Sequence, residues 1–375
     1  MGMTWYVADW MTALLRPVRL PLTVRSASYS LQGGRFDAEM DLRDTTLTAA
    51  DRRAMWDAVA PHTSSVVAVR EDLTQGDDGP LTDRAMGEWR ITRRYGDYRS
   101  GIVKLSGHCA PSYLKELVFG QNWRYQSIDA GGRIQVAVRD AFYSGQGNSA
   151  EGAGVNLNPG ANVSSDKRVP VNWTAGSLTY WDAVQELCEA GFEWTLEPGI
   201  VSESGVPTRS RRLLRIQDPS LRTVRDDIVL RAGPGMVITD FEHSAETAVN
   251  DVWVLGAGHG EKQIVGRYEP NRPVGVSRIS KTVTAPDLMT VAAANARARA
   301  IYQAERADDR VFTATADMAL LPGGGPRLGY SHPWQVDPSL GLPYGETGRV
   351  RVVGWDWSTP APGARETVSL QLVKE

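Results

Sequence analysis

The stretch Val249-Asn250-Asp251-Val252-Trp253-Val254-Leu255-Gly256-Ala257-Gly258-His259-Gly260-Glu261 constrains the fold more than any other part of this chain. An apolar run of β-branched and aromatic residues ends in spaced glycines, then resumes as Gln263-Ile264-Val265. That pattern predicts strand, tight turn, strand. A phosphate-binding glycine loop would instead open a helix whose first N–H groups face the phosphate, and would carry a Lys-Ser/Thr pair that is missing here. The glycines therefore close a β-hairpin.

Bulk properties set the frame. A chain of 375 residues is expected to hold roughly two to four domains of about 100–150 residues. A net charge of -3 supplies no global basic field toward nucleic acid or acidic membranes. The apolar share of 42% and charged share of 23% are those of a folded protein. With 37 Gly and 21 Pro, many turns and short strands are expected. The 2 cysteines, Cys109 and Cys188, are too few for a disulfide framework or a structural zinc and read as small buried apolar residues. No basic segment leads into an apolar core at the N-terminus, and no charge-free apolar run is long enough to span a bilayer. A soluble chain without a membrane anchor, made in a cytoplasm, is the expectation.

The first part, to about Ser106, reads as β. Thr4 to Trp10, Leu20 to Val24, Ser26 to Leu31, Arg35 to Leu42, Thr63 to Glu71, Met86 to Thr92 and Ile102 to Ser106 are strand candidates. Gln75 to Pro80 is a polar turn, and Thr48 to Val59 a short helix with Met55, Trp56 and Val59 at helical spacing. Frequent short strands argue for a small barrel or sandwich. From Gly107 the pattern becomes mixed. Pro111 to Phe119 looks helical, Ile134 to Phe142 is an amphipathic piece, and Ser144 to Val163 reads as an exposed loop. Thr179 to Ala190 is a clear helix: Thr179 and Asp182 form a capping box, Trp181, Val184 and Cys188 share a face, and Gly191 ends it. Phe192 to Leu196 and Arg212 to Ile216 form a strand pair across a polar hairpin. A third part starts near Val237, holds the glycine hairpin, and continues in a helix from Pro286 to about Arg306, with Leu288, Val291, Ala294, Ala298, Ile301 and Tyr302 on its apolar face. Phe312 to Ala316, Gly348 to Val353 and Thr367 to Leu372 alternate as strands again.

No catalytic, cofactor or metal residue is assigned. The 5 histidines, His62, His108, His243, His259 and His332, show no ligand spacing, and each reads as a hydrogen-bonded residue near a turn or strand end. A Gly-x-Ser-x-Gly elbow is missing, and His108 and Cys109 as strand neighbours point to opposite faces. A carboxylate pair always exists among 44 acidic residues, so it decides nothing about glycoside hydrolysis. Enzymatic activity is not expected. The densest basic spots are Arg93-Arg94, Arg209-Ser210-Arg211-Arg212, taken as a solvated hairpin tip, and Arg297 with Arg299, which face different sides of a helix. They lack the interleaved aromatics of a base-stacking surface, so sequence-specific nucleic-acid binding is not expected. The 12 tryptophans are many. Those in strand candidates, Trp5, Trp10, Trp89, Trp194, Trp253, Trp355 and Trp357, read first as core or interface and second as a sugar-stacking platform.

The opening Thr4-Trp5-Tyr6-Val7-Ala8-Asp9-Trp10-Met11-Thr12, leading to Leu20-Pro21-Leu22 and Gly33-Gly34-Arg35-Phe36, resembles the start of minor tail proteins of long-tailed actinobacterial phages. So does Ala248 to Gly256 with its Gly-x-Gly-x-Gly-Glu continuation, and so does the Ala- and Arg-rich helix Ala292 to Arg306 before an alternating β segment. The layout is similar to the tail-hub, or baseplate-hub-like, family along nearly the whole chain. That resemblance implies a β-rich α+β fold, two small β-barrel-like domains flanking mixed α/β middle domains. The corresponding parts are residues 1–106 as one barrel-like hub domain, 107–236 as an α+β domain with the loop near 144–163, 237–310 as a second α+β segment, and 311–375 as the C-terminal barrel-like hub domain. It also implies a homotrimeric ring at the virion tail tip that adapts the hexameric tail tube and distal tail ring to a three-fold tip. Expected partners are the distal tail protein, the tape-measure protein and other tail-tip or central-fibre proteins. A receptor- or glycan-binding tip protein is the alternative reading, with a cell-wall hydrolase behind it.

Overall fold

The computed structural model describes residues 3–31, 33–70, 85–97, 99–144, 157–158, 166–203, 206–233, 237–243, 249–270, 278–286, 288–305, 311–321, 326–337 and 346–375. Strand predominates over helix, the β-rich α+β class expected. The chain forms two compact units, Met1–Asp240 with Ala314–Gln371, and Phe241–Thr313 with Leu372–Glu375.

The first unit begins with β1 (Met3–Asp9), β2 (Leu15–Arg19), β3 (Leu22–Ser30), β4 (Arg35–Asp41), β5 (Ser64–Arg70), β6 (Ala85–Asp97) and β7 (Ile102–Cys109). They pair antiparallel in the order β3-β4-β7-β6-β5-β1-β2. Pro17 sits in β2, at the end of this sheet, where a missing N–H costs no ladder bond. Helix α1 (Ala49–Ala58) lies between β4 and β5 and starts at a capping box in which Thr48 and Asp51 bond reciprocally.

The middle of the unit carries β8 (Trp123–Asp129), α2 (Ala130–Ser144), β9 (Leu157–Asn158), β10 (Arg168–Trp173), α3 (Tyr180–Cys188), β11 (Glu193–Glu203) and β12 (Val206–Gln217). Next come β13 (Thr223–Val224), β14 (Leu230–Ala232) and β15 (Ile238–His243). The second unit follows with β16 (Asp251–Leu255), β17 (Val265–Tyr268), β18 (Ser280–Thr284) and α4 (Val291–Glu305). The chain then ends in β19 (Val311–Asp317), β20 (Tyr330–Val336), β21 (Glu346–Trp357) and β22 (Thr367–Lys374).

Strands β14, β15, β19, β22, β21 and β20 close into a six-stranded barrel, sealed by pairing of β20 with β21. β21 is 12 residues long and serves two sheets. Its first half pairs with β20, and its last residues, Gly354 to Trp357, pair with Ser30 to Ala27 of β3. Barrel and N-terminal sheet are thereby one continuous sheet of 14 strands.

Aromatic rings fill the space beside that shared strand. Phe36 stacks on Trp89 at 5.4 Å between ring centroids, Tyr29 stacks on Trp355 at 6.1 Å, and Trp5 meets Trp357 at 5.6 Å. A second core, under α2 and α3, gathers Trp10, Phe119, Trp123, Phe142, Trp173, Tyr180 and Leu187. In the second unit, β16 pairs antiparallel with β17 and parallel with β18, and α4 covers one face of the sheet through Ala294 and Ala298. That contact depends on Gly266, where a Cβ would lie 2.3 Å from the Ala294 carbonyl carbon.

Several expectations shift by local physics. The glycine hairpin exists, but its connection is a wide loop holding the 3-10 turn Gly260–Lys262, and the second strand begins at Val265. The helix expected from Pro286 starts only at Val291, where the Thr290 hydroxyl accepts from the Ala293 N–H at 3.2 Å; Val291 itself is exposed. The buried face of α3 is Tyr180, Ala183, Val184 and Leu187, with Trp181 and Cys188 packed at its flank. Pro111 to Phe119 resolves into the 3-10 turn Ala110–Lys115, and the pieces Leu20 to Val24 and Ser26 to Leu31 merge into β3 through a bulge. The turn Gln75 to Pro80 and nearly all of the loop Ser144 to Val163 lie outside the described residues.

Candidate functional site

The parts of the first unit are clamped by arginines that leave one element and end on a glutamate of another. Arg212 of β12 donates to Glu88 of β6, Nε to Oε2 at 2.8 Å and a terminal nitrogen to Oε1 at 2.5 Å; both side chains are almost fully buried. The Ser65 hydroxyl donates to the same Glu88 at 2.7 Å, and the guanidinium lies 3.9 Å from the Trp10 ring centroid. Arg351 of β21 pairs with Glu193 of β11 at 2.5 Å, and Arg327 pairs with Glu197 of β11 at 2.5 Å. Tyr29 of β3 donates its hydroxyl to the Leu196 carbonyl at 2.5 Å, and burial pushes its phenol well above the usual value. Breaking a buried pair by removing one partner costs about 3–5 kcal/mol, because the survivor stays desolvated. These contacts hold N-terminal sheet, middle elements and barrel in one geometry.

Here the sequence reading of Arg209 to Arg212 needs correction. The segment is interior β12, not a hairpin tip, and Arg212 is only 1% exposed. β11 and β12 run much farther than the expected Phe192 to Leu196 and Arg212 to Ile216, so their connection falls beyond Glu203. Arg94 is engaged as well, its guanidinium 3.7 Å over the Trp56 ring, and Arg299 lies 5.8 Å over the Tyr268 ring.

The remaining candidates are scattered. His62 occupies the turn before β5 at φ 65°, His108 is in β7, and His259 precedes the 3-10 turn. His243 ends β15, and its side chain lies outside the described residues. His332 is buried in β20, where desolvation and the nearby Arg225 push its imidazole down to about 4. Burial raises the thiols of Cys109 to about 11 and Cys188 to about 12, which makes both inert at neutral pH. Among the described residues no group of three or more His, Cys, Asp or Glu gathers to hold a metal. Of the strand tryptophans, Trp5, Trp10, Trp89, Trp194, Trp355 and Trp357 are core residues, and Trp253 is half-buried under Arg267.

The second unit is organised by one carboxylate. Asp251 is fully buried and accepts from Arg267 Nε at 2.7 Å, Arg278 Nε at 2.7 Å, Ser280 Oγ at 2.7 Å and Trp253 Nε1 at 2.8 Å. Burial opposes its charge, but these donors prevail and hold the acid well below the usual carboxylate range.

An open groove of about 460 Å³ lies where β3, β4 and β7 meet the 3-10 turn, lined by Ser28, Gly33, Arg35, His108, Lys115 and Glu116 among others. No sequence signal pointed to it.

No family model matches the chain, and no curated protein sequence matches it. Solved structures do. The tail protein from Neisseria meningitidis MC58 is similar at 14% identity with a TM-score of 0.59, covering 100% of this chain and 97% of that one. The 43 kDa tail protein of prophage MuSo2 from Shewanella oneidensis is similar at 11% identity with a TM-score of 0.58, covering 99% and 98%. A chain of the Francisella PdpA-VgrG complex is similar at 9% identity with a TM-score of 0.54, covering 100% of this chain and 58% of that one. At such identities the likeness is one of fold, and from end to end the fold of this chain is the fold of those tail proteins.

Proposed function

We propose that this chain is a structural protein of a phage tail, a trimeric hub ring at the tail tip. The supporting observation is the likeness in fold to two tail proteins over 97% and 98% of their own lengths. In this reading residues 1–106 form one barrel-like hub domain and residues 311–375, whose barrel is completed by β14 and β15, the other, and three copies present six such domains to a hexameric tail tube and its distal tail ring. Residues 107–236 and 237–310 are the intervening domains of the cup. The partners are the distal tail protein, the tape-measure protein and central-fibre proteins, and the location is the virion. The host group is that of the long-tailed actinobacterial phages that the opening motif resembles. A firmly held first unit suits this task, and its arginine–glutamate clamps, buried at Arg212–Glu88 and partly buried at Arg351–Glu193 and Arg327–Glu197, support one. The role is not enzymatic. The glycan-binding alternative loses support at the strand tryptophans, because six of the seven are core and Trp253 is half-buried under Arg267.

Gold-labelled antibody against the chain, applied to negatively stained virions of the parent phage, tests the reading. Label confined to the tail tip is expected. Label along distal fibres would move the protein to the adhesins, and a virion without label would sink the structural role.

A further inference from the structure

Thr195 of β11 carries a buried hydroxyl without a partner. The residue is 1% exposed, and its Oγ1 makes no hydrogen bond to any protein atom. Alternation along β11 fixes the side it faces. Trp194 and Leu196 belong to the core under α2 and α3, so Thr195 lies on the opposite face of the hairpin, as Glu197 does. A hydroxyl taken out of water is unfavourable there unless something hydrogen-bonds it.

On that face lies a small cavity of about 20 Å³. Tyr29 of β3, Met86 of β6, Thr195 and Glu197 of β11, Arg327, and Trp355 of β21 border it, among others. The N-terminal sheet, the middle hairpin and the strand shared with the barrel all contribute to its wall. One water needs roughly 10–15 Å³ of such space, whereas an organic ligand needs on the order of 300 Å³. The size therefore admits a single water and nothing larger. Apolar walls alone would keep it dry. Met86 and Trp355 are apolar, but the other named residues bring polar groups. The Tyr29 hydroxyl donates its proton to the Leu196 carbonyl, which leaves its oxygen able to accept. Glu197 accepts from Arg215 at Oε2 and from Arg327 at Oε1, and a carboxylate has further lone pairs beyond those two bonds.

We propose that this cavity binds one ordered water molecule, which bridges the Thr195 hydroxyl to the Glu197 carboxylate. The hydroxyl donates to the water, and the water donates to Glu197 and to the Tyr29 oxygen, about three bonds in all, as buried waters commonly make. A cation is the poorer occupant, because two guanidinium groups already face Glu197. The water ties β11 to the polar contacts that join it to β3 and to Arg327. The site stands on this geometry and does not depend on the tail assignment.

The test is a high-resolution crystal structure of the full chain beside its Thr195→Ser and Thr195→Val variants. A density peak about 2.5–3.0 Å from both Thr195 Oγ1 and a Glu197 oxygen is expected. Thr195→Ser keeps the hydroxyl and should keep the peak. Thr195→Val keeps nearly the same shape without the hydroxyl and should lose it. Loss of the bridge should also lower the urea midpoint of Thr195→Val, whereas replacing a hydroxyl that had no partner would leave the midpoint unchanged or raise it. The wild-type and Thr195→Ser densities decide the case even where Thr195→Val does not fold. A dry cavity in the wild type, a Thr195 hydroxyl turned onto a backbone carbonyl, a peak that persists in Thr195→Val, or a midpoint that does not fall would overturn the proposal.

Discussion

The two units of this molecule solve the same problem with different means. The first has a large aromatic interior, with Trp89 packed among Trp5, Tyr29, Phe36 and Trp355, and it adds buried arginine–glutamate pairs between elements far apart in sequence. The second has a small core of Val249, Val252, Val254, Ala294 and Ala298, and relies on Asp251 to tie β16, β17 and the start of β18 together. A large core tolerates polar clamps as devices of alignment. A small core leaves one polar centre to supply much of the cohesion.

The comparison can be broken first at Glu88. Glu88→Ala strands Arg212 in the interior and should cost about 3–5 kcal/mol, seen as a large drop in the urea midpoint of the first unit. An unchanged midpoint would mean that the pair is not a clamp. Next comes acid. The folded value of His332, about 4, lies below its unfolded value of about 6.5, so the native state binds fewer protons. Its contribution is complete above pH ~6.5 and is lost as pH falls through ~4, at most about 3 kcal/mol. His332 is faced by Arg225, Asp227 and Arg349. His332→Gln should flatten this limb of the pH–stability curve, and an unaltered limb would assign it elsewhere.

Smaller and more local is Asp251→Asn, which keeps the shape and removes the charge. A loss of about 2 kcal/mol is expected, and hydrogen exchange should quicken in β16, β17 and β18 while β4 and β7 stay protected. Uniform quickening would deny that the units differ. The smallest effect is Thr179→Ala, which removes the cap of α3 for about 1 kcal/mol.

Those local devices were legible in sequence, and the closures were not. Thr179 with Asp182 signals a helix start because cap and partner are three residues apart. β19, β21 and β22 were legible by alternation. β8 was hidden because Arg124, Tyr125, Gln126 and Ser127 are all exposed, and β20 because Pro333 interrupts it. β14 is three residues long and becomes a barrel strand only through parallel neighbours, β15 and β20, the second about a hundred residues away. Arg212 was unreadable for the same reason: its partner Glu88 lies 124 residues away, and a basic run looks solvated until that partner is known. The groove depends on register, which places Arg35 beside His108, and register follows from pairing that no short window shows.

The most direct test of the hub account is the mass and symmetry of the purified full-length chain. Light scattering on a sizing column, followed by cryo-electron microscopy of the peak, should show three copies in a ring with three-fold symmetry. A chain that stays monomeric at high concentration, or closes with two-fold symmetry, would contradict it.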